Sequence, residues 1–206
     1  WDKAKKELSY GDQLRDKAYS LLGLFLPSQA VACGPDVDCL NEDDFITIES
    51  DFVDNMYVKV PQNVSSGSDD SVMGINIFLE ARGYMAMAAL EEAFPKFRDF
   101  LGVSASDVNR PIIVWMSGDI VDAADGSVYN GIHYACDQIY VDVFISHLKA
   151  TTAHELFHCF QDSTGMLDAG YEDWMIEGGA KFSEHVAFPS DNTEHAWHDT
   201  YLTNPK

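Results

Sequence analysis

TTAHELFHCFQ, residues 151–161, is the stretch on which the reading of this chain turns. The pattern around it is helical over about 148–163, which puts His154 and His158 one turn apart on one helix face. Their ring nitrogens can then converge on a single ion. Glu155, beside the first histidine, is expected to aim its carboxylate at the open side of that ion. There it would take a proton from zinc-bound water and deliver it to a leaving amine. Zinc would bring the pKa of that water to about 7. The alternative is a pair of histidines satisfied by core hydrogen bonds, since a five-residue motif with three fixed positions also arises by chance.

Outward from this helix, the chain reads as α+β. Residues 1 to about 26 carry Leu8, Leu14, Ala18, Leu21 and Leu22 at helical spacing, and Pro27 closes the pattern. FITIES (45–50) and NMYVKV (55–60) are expected to pair as a hairpin. The polar run QNVSSGSDDS (62–71) is read as a mobile loop or a boundary between a 1–60 segment and a 61–206 domain. A long apolar helix is expected over about 74–101, kinked or split at Pro95. Strands follow at 111–117, 127–135 and 139–145, and a last helix over 173–187 ends before Pro189.

A third metal ligand would strengthen the histidine pair, and its position selects among zinc-site classes. A pattern H-E-x-x-H-x-x-G-x-x-H would need Gly at 161 and His at 164, where this chain has Gln161 and Thr164. Instead, eighteen residues after His158, Glu177 lies in EDWMIEGGAKFSEH on the next helix. A crossing helix can present that carboxylate to the same ion, giving two histidines, a glutamate and water.

HELFH, an eighteen-residue spacer and WMIEGGA together resemble the gluzincin zinc peptidases, whose aminopeptidase branch carries W-x-x-E-G-x-A after the same spacer. The match covers about residues 110–187. The resemblance implies one zinc ion on His154, His158 and Glu177, Glu155 as general base, and a peptide or protein substrate. It also implies a zincin-like fold: a mixed twisted sheet, a backing helix, an active-site helix and a following helix that carries the third ligand. In such folds an extended peptide pairs with the edge strand, here the strand near 129–135 or its neighbour. The amine-binding glutamate of the aminopeptidase G-x-M-E-N motif is replaced by Tyr129 in GSVYN (126–130), so an endopeptidase is expected over an aminopeptidase. A noncatalytic zinc-stabilised binding domain is the alternative from another class.

Glu184, seven residues after Glu177, falls on the same helical face and is placed to orient a zinc-bound histidine; an exposed helical carboxylate is the plainer reading. Trp174 is expected to pack against the active-site helix. Gly178 and Gly179 suggest close backbone approach or a wall of the cleft. Gluzincins stabilise the oxyanion with a downstream Tyr or His, for which Tyr201 is the candidate, with His195, His198 and Tyr171 as alternatives. The family usually continues into a helical lobe, so either that lobe is missing or this is a minimal catalytic domain. Residues 1–60 are a candidate inhibitory segment.

Thirteen basic against 34 acidic residues give a formal charge of −21, which repels nucleic acid and anionic membranes. No apolar run approaches a membrane span, so no membrane insertion is expected. Oligomeric state is not legible. Acidic runs at 36–44 and 66–70 suggest Ca2+ only weakly, because neither has EF-hand spacing, and solvated loops are favoured. Four cysteines suggest the disulfides Cys33–Cys39 and Cys136–Cys159, with reduced buried thiols as the alternative. Their even count and the acidic bias point to a secreted or extracellular protein.

Overall fold

The computed structural model describes residues 45–61, 70–118, 120–121, 128–167 and 170–191. The fold is α+β, with a five-stranded mixed sheet and three α-helices among the described residues. Strands β1 (Phe45–Glu49) and β2 (Met56–Pro61) form the expected hairpin, Phe45 opposite Pro61 and Glu49 opposite Tyr57. Ser50 starts its turn by accepting the backbone N–H groups of Phe52 and Val53 at 3.1 and 3.0 Å. This side-chain mimic of a backbone turn frees the chain to reverse.

Helix α1 (Asp70–Leu101) then crosses back so that β3 (Ile112–Ser117) can lie parallel to β2. The short strands β4 (Ile120–Val121) and β5 (Val128–Tyr129) pair with each other. Strand β6 (Gly131–Ala135) is antiparallel to β7 (Gln138–Asp142), which is parallel to β3. The sheet order is β1-β2-β3-β7-β6. Thus β6 is an edge strand and β7 an interior one, a choice the sequence left open.

Alternation decides which sheet face is buried: Met56, Val58, Val60, Ile112, Val114 and Met116 point inward, where Leu79, Ala86, Leu90, Phe94 and Phe97 of α1 meet them. Helix α2 (Leu148–Ser163) docks on α1 through aromatic rings. Phe97 lies 5.2 Å from Phe157 and 5.8 Å from Phe160, and Phe94 lies 5.2 Å from Phe160. Truncating Phe160, which is fully buried, would cost about 3–5 kcal/mol. Arg82 of α1 ties down the chain entering α2, donating to the Val143 carbonyl at 2.7 Å and also to that of Ile145.

Two further contacts position α2. The disulfide Cys136–Cys159, with Cα atoms 5.0 Å apart, links the β6–β7 turn to the helix one residue after His158. At its other end Gly165, at φ 73°, closes α2: Met166 N–H reaches the Gln161 carbonyl at 2.8 Å and Gly165 N–H reaches that of Asp162 at 2.9 Å. Helix α3 (Asp173–Ala187) packs across α2.

Two expectations change. The strand expected over 127–135 divides at Asn130, whose carbonyl turns to accept Asp142 N–H at 2.8 Å. The strand expected over 139–145 ends at Asp142, whose side chain caps Phe144 N–H at 2.8 Å. The helical pattern of residues 1–26, Cys33, Cys39, the acidic run at 36–44 and residues 66–69 of the run at 66–70 lie outside the described residues. No helix among the described residues is long and apolar enough to cross a membrane.

Candidate metal centre

His154 and His158 of α2 and Glu177 of α3 meet where the two helices cross. The two Nε2 atoms are 3.2 Å apart; His154 Nε2 is 3.3 Å from Glu177 Oε2, and His158 Nε2 is 3.5 Å from Glu177 Oε1. Ligands held tetrahedrally at about 2.0–2.1 Å from one ion are separated by roughly 3.3 Å. The two nitrogens stand at about that separation and the Glu177 carboxylate faces each through a different oxygen; one donor atom from each of the three residues lies within 4.8 Å of the others, and their chemistry, two imidazoles and a carboxylate, fits a divalent transition metal. Glu177 is 60% exposed, so the donor triangle is open on one side.

Both imidazoles are held by their other nitrogen. His154 Nδ1–H donates to Glu184 Oε1 at 3.0 Å, and Lys181 Nζ donates to both oxygens of that carboxylate, at 2.9 and 2.8 Å. Glu184 is buried rather than exposed. His158 Nδ1–H donates to Gln161 Oε1 at 2.8 Å, and Gln161 Nε2 donates to the Ile176 carbonyl at 2.9 Å. With Nδ1 protonated on both rings, both Nε2 atoms turn toward the shared point, that of His154 becoming a free donor to a metal once it gives up its proton.

Charges follow this geometry in the metal-free protein. Burial opposes a charge on His154, but hydrogen bonds to Glu177 and then Glu184 outweigh it and raise its pKa to about 10. The same contacts, with His154 first and His158 second, hold the Glu177 carboxyl well below its usual range. Glu155 is pushed up by burial, against the pull of His154 and His158. A carboxylate of raised basicity beside an open donor triangle is suited to accepting a proton.

Glu155 lies between α2 and the edge strand. A β-carbon on Gly131 of β6 would fall 2.6 Å from its Oε1, so only glycine leaves room for this carboxylate. His133, two residues along β6, places its ring 5.9 Å from that of His158. Its Nε2 is buried without a hydrogen-bond partner among the described residues, and burial followed by His158 drives its pKa down to about 4.

Glu184 thus joins the ligand cluster. Gln161, Gly131, His133 and Lys181 were missed: each acts on a residue distant in sequence or across a helix turn, where no motif signals it. Gly179 makes the expected close approach, its absent β-carbon 3.1 Å from Gln161 Nε2, whereas Gly178 faces open space. Trp174 is not buried against α2. It is 62% exposed, three residues before Glu177 on the side of α3 turned to solvent. Tyr171 precedes α3 and is 48% exposed; Tyr201, His195 and His198 lie outside the described residues.

Comparison of the chain with protein-family models, with curated proteins and with solved structures finds no match. The functional reading therefore rests on the residues and their geometry.

Proposed function

We propose that the chain is a zinc-dependent peptidase of the gluzincin kind, with a zincin-like fold, cleaving peptide bonds within extended substrates. The observation that carries this reading is the cluster of His154 Nε2 and His158 Nε2, 3.2 Å apart, with the Glu177 carboxylate set against both, Oε2 at 3.3 Å from the first and Oε1 at 3.5 Å from the second, beside the buried Glu155. A bound zinc ion would supply Lewis acidity toward a peptide carbonyl and an attacking water. Glu155 accepts the proton of that water and passes it to the leaving amine, a role its raised basicity favours.

The edge position of β6 supports an extended substrate. Among the described residues its one sheet partner is β7, and its other side is the one on which a peptide backbone could pair as an added strand, over Glu155. Tyr129, in place of an amine-binding glutamate, favours internal cleavage. The Cys136–Cys159 disulfide accords with an oxidising compartment, and secretion forms part of the proposal.

Mass-spectrometric profiling of a peptide library tests the reading. Zinc-loaded wild type should cut it, and Glu155→Gln, with the same zinc content, should lose at least 100-fold in rate. A zinc-loaded wild type that cuts nothing between pH 5 and 9 would favour the noncatalytic binding domain.

A further inference from the structure

We propose that Gln161 is a positioning residue that sets two metal ligands at once, a role that rests on the metal-centre reading above. Its amide has a fixed polarity. The Ile176 carbonyl can only accept, so the Gln161 nitrogen must face it, at 2.9 Å. The Gln161 oxygen is thereby turned to His158 Nδ1, at 2.8 Å, and can only accept from it. That acceptance requires the proton on Nδ1 and leaves the lone pair on Nε2, the atom 3.2 Å from His154 Nε2 and 3.5 Å from a Glu177 oxygen.

Ile176 immediately precedes Glu177. One buried side chain therefore holds the tautomer of the second ligand and latches the backbone beside the third. Gln161 is well supported for this: its own carbonyl closes the last turn of α2, and its side chain is buried. The third ligand needs such a latch, because Glu177 itself is largely exposed and belongs to a different helix from the two histidines. Gly179 makes the contact possible, since any larger residue would press on Gln161 Nε2 from 3.1 Å.

Two variants separate the two functions. Gln161→Leu removes both; Gln161→Glu keeps an acceptor for His158 Nδ1–H but has no donor for the Ile176 carbonyl. Two readouts apply: zinc affinity by competition with a chromogenic chelator, and hydrogen exchange of the backbone amides of residues 176–181 in metal-free protein. Gln161→Leu should weaken zinc binding about 10- to 100-fold and speed the exchange. Gln161→Glu should speed the exchange equally while recovering most of the zinc affinity. The proposal is overturned if both variants bind zinc and exchange as wild type does. It is equally overturned if both lose affinity alike in step with a fall in melting temperature, which is the signature of a merely structural role. A wild-type chain that takes up no zinc would overturn the metal reading instead, and the exchange comparison would then decide the Ile176 latch alone.

Discussion

Gly131 of the edge strand and Glu155 of the helix beneath it share one small space: a β-carbon on the glycine would lie 2.6 Å from Glu155 Oε1 and 2.8 Å from its Cγ. Gly131→Ala must therefore displace the carboxylate while leaving His154, His158 and Glu177 in place. A displacement of about 1 Å costs on the order of 100-fold in rate. Zinc stoichiometry should be unchanged, which parallel metal analysis and peptide-cleavage rates would check.

Gly178 and Gly179 occupy adjacent positions inside α3 yet should respond oppositely to alanine. Gly178→Ala meets nothing within 4 Å and gains helix propensity, so it should stabilise the fold by about 0.5–1 kcal/mol. Gly179→Ala makes the same propensity gain but presses on Gln161 Nε2, 3.1 Å from the new β-carbon. It should weaken zinc binding, whereas Gly178→Ala should not. Thermal unfolding and chelator competition on the two variants read the difference.

Metal-free protein should lose stability as pH rises. The folded-state pKa of His154 is raised to about 10, against about 6.5 when unfolded. The charged imidazole between Glu177 and Glu184 then contributes stability fully below pH 6.5, and this is lost progressively as pH climbs through 10. His154→Asn should flatten this alkaline limb in denaturant titrations. The same proton competes with metal, so zinc loading at pH 7 should release about one proton from His154, measurable by calorimetry in buffers of different ionisation enthalpy.

The Cys136–Cys159 disulfide closes a loop with a sequence separation of 23 residues. Replacing both cysteines by serine should cost about 3 kcal/mol through the entropy regained by the unfolded chain. Because Cys159 follows His158, zinc affinity should fall as well; urea unfolding and metal competition test the two effects separately.

Local chemistry was legible in the sequence where one helix or strand carried it. The bounds of α2 and α3 were readable from periodicity and from Pro189, and the β1–β2 hairpin from its β-branched residues. Glu184 could be placed beside the ligands because it shares a helix face with Glu177. The parts that escaped depend on contacts between elements. Nothing in the string GIHYA says that its glycine will meet Glu155, 24 positions later, or that this strand rather than QIYVD lies at the sheet edge. Gln161 stood in the opening motif, but its role appears only once α3 brings the Ile176 carbonyl within 2.9 Å. Trp174 misled for the converse reason: its apolar surface suggested packing, while its position one turn before an exposed ligand leaves it in solvent.

The central claim, that His154, His158 and Glu177 form a single zinc centre, is tested most directly by elemental analysis of the purified chain after zinc loading and exhaustive dialysis. Wild type and Glu155→Gln should each retain one zinc per chain, and His154→Ala, His158→Ala and Glu177→Ala should each retain far less. A wild-type chain without zinc, or ligand variants that keep it, would contradict the account.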